Sequence, residues 1–407
     1  MIVKTPGKRQ AVILPRKQPD LYPWNAPMPI VRVAGNYTDI GVKHGQQTKD
    51  LIQRAVRNAW TMLPPLLGMS RSDIAQDLNE YGQRIKALHA GFSSEMEAVA
   101  NGAAVSYEDV ILLNSQYDLI IMRGGEKALQ SLLCSAFAAW GDATRNGEMI
   151  GGHNDDGGRF TDQFLVLLDA TPSEGYRFLV PTVPGQLGYH TVANSSGFCA
   201  VGNSLEIGPK PEEARIGVPM WAIFRHLAQF VSNVDSVLQY LRNVESGITF
   251  SFLLLDKSGK AAVAHKASEN FAVIKPTNDY LFMTNHALTD EIKNHLVLRK
   301  NPSSTHYRLE SIGKAVRDNV GKIDAAVAMQ IMSTHYDVSV GKDNPSMNTP
   351  CRHGEYEGKL AGSCRSAVIR LAKKQLTLRV ALGNPCIAKW VEANLAYEKR
   401  AIPSANN

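Results

Sequence analysis

Apolar positions in this chain recur at two periods, and the change between them falls close to Cys134. Residues 30–34 alternate apolar and polar side chains and predict a strand. Gly35-Asn36-Tyr37-Thr38 follows as turn and N-cap. A helical period then runs to about residue 63, where Pro64-Pro65 is expected to stop it. A second helical stretch covers about 71–104. A third covers 107–121, with Ser106 as its cap and Glu108 and Asp109 in its first turn, and Gly124-Gly125 breaks it.

Beyond Cys134 the runs shorten and take on β character: Phe164–Leu168, Phe178–Val180, His190–Ala193, Phe198–Val201, Phe250–Leu255, Ala261–His265, Phe271–Ile274 and Tyr280–Thr284. Asn, Gly and Ser turns separate them, which predicts antiparallel hairpins. Helical segments are expected at about 217–231, 234–246, 305–319 and 323–334, and a last strand pair at Ala367–Leu371 and Leu376–Ala381. Strand groups alternating with helix groups predict a layered α+β sandwich. Residues 1–29, rich in Pro, Lys and Arg, read as an extended arm.

Composition adds mainly exclusions. A chain of 407 residues with 44% hydrophobic and 20% charged residues buries a large core and is not disordered. The net charge of +6 is spread along the sequence, and no Lys/Arg block is dense enough to track a nucleic-acid backbone. There is no apolar run of transmembrane length. Ala11-Val12-Ile13-Leu14 is too short for a signal-peptide core, so the chain as written reads as cytoplasmic, or as secreted where a leader is missing. Five cysteines (Cys134, Cys199, Cys351, Cys364, Cys386) form no CxxC pair and no disulfide framework, and no His spacing suggests zinc. Neither a metal nor a cofactor is expected.

Cys134 heads the apolar run Leu133-Cys134-Ser135-Ala136-Phe137-Ala138-Ala139-Trp140. The turn at Asn146-Gly147 then leads back into Gly152-His153-Asn154-Asp155-Asp156. A thiol at the head of a strand, faced by a returning hairpin that carries Asn and Asp, suits an enzyme whose nucleophile is also its N-terminus. If the chain is cut before Cys134, that residue carries both a thiol and an α-amine. An amine with an ordinary pKa near 7.7–8.0 accepts the thiol proton at neutral pH. No local signature singles out one of His44, His153, His190, His265, His286 or His353 as a partner, and most are read as structural.

In order along the chain, these motifs resemble the penicillin acyltransferase-like (isopenicillin N acyltransferase) family of self-processing N-terminal-nucleophile hydrolases. The resemblance begins with Gly35 through Gly41 and Lys43-His44-Gly45. It continues with Glu97 through Ser106 and Leu112-Leu113-Asn114, then Cys134, then Thr144-Arg145-Asn146-Gly147 with Gly152 through Asp156. Asn194-Ser195-Ser196-Gly197 with Gly202-Asn203-Ser204-Leu205, then Thr284-Asn285-His286, then Ser363-Cys364-Arg365-Ser366-Ala367 complete it. Leu133 stands where the family's best-known members have Gly, and Ala136 where Thr or Ser is common.

The resemblance implies an αββα four-layer sandwich, with residues 30–133 as a mainly helical propeptide and 134–407 as the catalytic chain. It implies autocleavage between Leu133 and Cys134, with the two pieces remaining associated. It further implies Cys134 as nucleophile, Asp156 beside it, Asn285 as an oxyanion donor and Arg365 as the active-site arginine. The substrates would be small molecules: a linear amide, or an acyl-CoA with an amine acceptor. Two alternatives stay open, an unprocessed binding protein of the same fold and a long-chain lipid amidase or phospholipase B-like enzyme.

Overall fold

The computed structural model describes residues 26–123, 133–158, 165–247, 249–299, 303–356 and 359–398, so the expected arm lies outside the described residues up to position 25. The N-terminal third is strand β1 (Ile30–Gly35) and five helices, α1 (Tyr37–Gln47), α2 (Lys49–Leu67), α3 (Arg71–Leu88), α4 (Ala90–Ala103) and α5 (Tyr107–Arg123). Strands β2 (Leu133–Gly141), β3 (Gly147–Gly158), β4 (Val166–Pro172), β5 (Phe178–Thr182), β6 (Thr191–Asn194), β7 (Phe198–Ser204) and the short β8 (Gly208–Pro209) follow. Next come α6 (Met220–Phe230), α7 (Val234–Asn243), β9 (Thr249–Asp256), β10 (Ala261–Ala267), β11 (Asn270–Ile274), β12 (Tyr280–Met283), α8 (Asp290–Lys293) and β13 (Leu296–Val297). The chain closes with α9 (Ser304–Arg317), α10 (Ala325–Met332), β14 (Tyr336–Asp337), β15 (Lys342–Asp343), β16 (His353–Tyr356), β17 (Lys359–Leu371), β18 (Gln375–Leu382) and β19 (Trp390–Ala396).

Two sheets carry the fold. The first runs β1-β4-β5-β6-β7-β9-β10-β11, and the second runs β12-β2-β3-β17-β18-β19 with β16 on β17. The period of two along each strand sorts side chains into three apolar layers. Val166 and Leu168 of β4 face the helices α1–α7, whereas Leu167 between them faces the second sheet. On the second sheet, Ala136 and Ala138 face inward, while Phe137 and Ala139 pack on Ile312 and Val316 of α9 and Met332 of α10. Helix, sheet, sheet, helix: the fold is the αββα sandwich.

The strands β8, β13–β16 and β19 have no expected counterpart, but those that the pattern predicts are present and pair antiparallel, except at one edge of the first sheet. There β1 pairs with β4 in parallel, Ile30 opposite Leu167. Helix boundaries differ more. The expected 37–63 helix is two helices that change over at Thr48, and the 71–104 helix is two that change over at His89. Pro64-Pro65 does not stop α2, which runs through both to Gly68 in a left-handed conformation, φ 65°. Leu63, just before the proline pair, is fully buried in the helical apolar layer.

The glycines of the first motif have a packing reason. A Cβ on Gly41 would lie 2.3 Å from the Glu95 carbonyl oxygen, and one on Gly45 would lie 2.5 Å from that of Val99. These two positions, one turn apart, let the backbones of α1 and α4 touch. Asn36 caps α1, its side chain accepting from Asp39 N–H while the Asp39 carboxylate accepts from Asn36 N–H.

Candidate active site

The hairpin β2–β3 fixes what Cys134 faces. Cys134 pairs with Asp155, Leu133 with Asp156, and Ser135 with Asn154. On the far side of β3, β17 places Arg365 opposite Asp155 and Ser363 opposite Asp156, the register shifting at Cys364. Because side chains alternate across a strand, Cys134, Asp155 and Arg365 share the face between the sheets. Cys134 Sγ lies 3.7 Å from Asp155 Oδ1, and Arg365 Nη2 lies 3.2 Å from Asp155 Oδ2.

The carboxylate expected beside the nucleophile was that of Asp156. One residue of register puts Asp155 there instead and turns Asp156 to the opposite face. Asp156 Oδ1 accepts from Ser363 Oγ at 2.7 Å, and Oδ2 lies 3.8 Å from Arg352 Nη1. Burial raises the Asp156 pKa to about 6, although Arg352, Arg308 and Ser363 pull the other way. Asp155 moves in the opposite direction. Burial would raise its pKa, but His190 and Arg365 outweigh it and hold the carboxyl well below the usual range.

Asn285 reaches Cys134 because β12 ends too soon. Its last pair is Met283 with Ala136, so the position opposite Cys134 falls to Asn285. There the side-chain Oδ1 accepts the Cys134 backbone N–H at 2.8 Å. The same oxygen accepts from Arg308 Nη2 at 2.8 Å, while Asn285 Nδ2 donates to the Ser204 carbonyl and hydroxyl oxygens, each at 2.9 Å. Two donors meeting at one atom fix the amide orientation. Asn285 therefore acts on Cys134 as an acceptor, and both its N–H groups are taken by Ser204.

Arg308, on the first turns of α9, was not singled out by the sequence. It is fully buried and donates to the Cys134 carbonyl and, at 2.9 Å, to Ser135 Oγ. Three residues earlier on the same helix, Thr305 Oγ1 accepts Asn285 N–H at 2.7 Å. His190 departs from the structural reading given to most histidines: its Nδ1 lies 3.8 Å from Cys134 Sγ and 3.5 Å from Asp155 Oδ1. Its ring stacks on Tyr189, which in turn lies beneath the Arg365 guanidinium, 4.4 Å from the ring centre. Arg365 Nη1 donates to the Pro181 carbonyl at 2.6 Å. No spacing signal links positions so far apart in the chain; only the sheet register and α9 join them.

The thiol is sealed in this state, with Cys134 1% exposed. Burial pushes its pKa well up, Asp155 and Asp156 add to the rise, and Arg308 and Arg365 oppose it. The thiol is thus protonated and awaits a base. Cys134, His153 and His190 present ligand atoms within 4.8 Å of one another. The buried guanidinium groups of Arg308 and Arg365 beside the thiol disfavour a cation there. Next to Asn285, a cavity of about 380 Å³ is lined by Glu206, His286, Lys293, Arg299 and His306 among others.

The αββα sandwich is the fold of the N-terminal-nucleophile hydrolases, and Cys134 stands at the head of one of its inner strands, flanked by buried charge. Residues 143–344, just under half of the chain, match the family model described as AAT, acyl-coenzyme A:6-aminopenicillanic acid acyl-transferase. A curated relative, an uncharacterized protein of Archaeoglobus fulgidus, is 21% identical over 370 residues. That alignment covers 79% of this chain and 60% of the relative, so the chain spans well under the relative's full length. Among solved structures, a variant of conjugated bile acid hydrolase from Clostridium perfringens aligns with TM-score 0.40 and 12% identity, over 67% of this chain and 100% of that one. Penicillin V acylase from Agrobacterium tumefaciens aligns with TM-score 0.38 and 14% identity, over 62% and 84%. No described helix is long and apolar enough to cross a membrane.

Proposed function

We propose that the chain is the precursor of a self-processing cysteine N-terminal-nucleophile enzyme that cleaves itself between Leu133 and Cys134 and then transfers acyl groups from linear amides or acyl-CoA. The observation that carries this is the hydrogen bond from Cys134 N–H to Asn285 Oδ1 at 2.8 Å, beside a thiol that touches Asp155 and His190. The nitrogen that becomes the α-amine already has an acceptor, and that acceptor is held by Arg308.

In processing, Sγ attacks the Leu133 carbonyl carbon, the C–N bond breaks, and the thiol proton goes to the departing amine. Water then hydrolyses the thioester, leaving a carboxylate on Leu133 and the free thiol. In turnover the Cys134 amine accepts the thiol proton as Sγ attacks an external acyl donor. The leaving amine or thiol departs protonated, and water or a second amine takes the acyl group. Asp155, ionised and paired with Arg365, supplies the fixed negative charge that stabilises the ammonium. Lys293 and Arg299 at the neighbouring cavity support a substrate with an anionic portion.

Intact-mass measurement and N-terminal sequencing of the purified protein test the processing step. The expected result is two chains, one beginning at Cys134, with Cys134→Ala remaining uncut and inactive. A wild-type protein that stays whole and turns over neither amide nor acyl-CoA substrates is the unprocessed binding protein instead. Strong preference for long acyl chains among the amides would make it the lipid amidase.

A further inference from the structure

Away from the nucleophile, four side chains from three segments converge. They are His335 after α10, Cys351 and His353 at the start of β16, and Cys386 after β18, and their ligand atoms all lie within 4.8 Å of one another. His353 Nε2 is 3.1 Å from His335 Nε2, 3.3 Å from Cys351 Sγ and 3.5 Å from Cys386 Sγ, and the two sulfurs are 3.6 Å apart. Asn384 Nδ2 lies 3.3 Å from the same nitrogen. One ring nitrogen serves a single hydrogen bond, so four polar neighbours around it are not explained by hydrogen bonding. Nor is the sulfur pair a disulfide, in which the atoms would be about 2.05 Å apart.

A tetrahedral ion bound at about 2.3 Å from sulfur and about 2.0–2.1 Å from nitrogen has ligand-to-ligand edges of about 3.3–3.8 Å. The observed separations sit on or near those edges. We infer that His335, Cys351, His353 and Cys386 form a four-coordinate Cys₂His₂ zinc site.

Two thiolates with two imidazoles in tetrahedral array select zinc over hard cations, and four protein ligands leave no open position, so the site is structural. Asn384 completes the surroundings, its Nδ2 donating to the Arg352 carbonyl at 2.6 Å and lying 3.8 Å from Cys351 Sγ. The ion would lock Arg352, which sits between two of the ligands. Arg352 in turn approaches Asp156, and its backbone N–H donates to Ser363 Oγ at 3.0 Å. The zinc would therefore fasten the wall behind Asp156. The sequence hid this site because only Cys351-x-His353 is local and the other ligands lie far on either side.

Elemental analysis of the full-length protein, purified under reducing conditions without chelator, is expected to find about one zinc per chain, as a closed site of this kind binds tightly. Cys351→Ser and His335→Ala should each lower that content by about tenfold or more, while Cys199→Ser, remote from the cluster, should not. Should those variants fail to fold, cobalt exchanged into the wild type is expected to give the visible bands and thiolate charge-transfer absorption of a tetrahedral sulfur-bound ion. Metal-free wild type that takes up neither zinc nor cobalt, a Cys351–Cys386 disulfide in the mapped peptides, or zinc retained in folded Cys351→Ser would overturn the site. Metal content does not depend on cleavage at Cys134, so failure here is distinct from failure of the processing proposal.

Discussion

Two adjacent aspartates on β3 occupy opposite chemical worlds. Asp155 faces the thiol, Arg365 and His190 and is held ionised, while Asp156 is buried on the other face and pushed up to about 6. On the proposed mechanism, Asp155→Asn should lower kcat by about 10²–10³-fold, the range for loss of one preorganised electrostatic group, with little change in KM. Steady-state kinetics on the processed enzyme would check this. Asp156→Asn should act on stability instead. A carboxyl whose folded pKa exceeds its unfolded one favours folding while neutral, fully below its ordinary 3.8, and the benefit disappears as pH rises through about 6. Denaturation midpoints should therefore show the variant gaining on wild type between pH 4 and pH 7. Cys134, Asn285 and Arg365, all legible from ordered motifs, do meet in space. The choice between Asp155 and Asp156 was not legible, because it turns on a strand register that one residue of slip reverses. Arg308 and His190 had no local pattern to betray them.

Among the elements, α4 and α6 are joined by an ion pair enclosed in the core. Arg225 donates from Nη1 and Nη2 to the two Glu95 oxygens, both at 2.7 Å, and neither side chain reaches solvent to any extent. Removing one partner strands a buried charge, so Glu95→Ala should cost about 3–5 kcal/mol in urea denaturation. Gly41→Ala, which forces α1 off the Glu95 carbonyl, should cost about 1–3 kcal/mol by the same assay. The sequence pattern located most strands within a few residues because alternation is a local signal. It missed the changeovers at Thr48 and His89, where neither Gly nor Pro interrupts the helical period. It also missed β19, where the inward positions Val391, Ala393 and Leu395 alternate with Glu392 and Asn394 over only a few residues.

For the molecule as a whole, several histidines are folded into the interior as neutral rings. Burial lowers the pKa of His44 and His226 to about 4 and of His265 and His286 to about 3. Unfolded, each regains an ordinary value near 6.5 and takes up a proton more readily. Stability is then complete above about pH 6.5 and falls as pH drops toward the folded values. The urea midpoint should decrease steadily from pH 7 to pH 4, and His44→Asn should flatten part of that slope. His44 is a good probe because its Nε2 accepts Gly185 N–H at 3.1 Å, a bond that protonation would abolish.

That bond belongs to a wider seam. Asn114 and Gln186 tie α5 to the 185–187 loop, Glu95 grips Arg225, β1 supplies the edge of the first sheet, and the helical apolar layer draws from both sides of residue 133. Under the proposed cut between Leu133 and Cys134, these contacts would still tie the two pieces together, but the route back to the folded state would change. Before the cut, refolding is a unimolecular event, indifferent to dilution. Afterwards it becomes a second-order encounter between a strand-and-helix piece and a larger partner lacking its covering layer. A processed sample that is denatured and diluted should then recover with a rate proportional to its concentration, whereas the Cys134→Ala precursor should not.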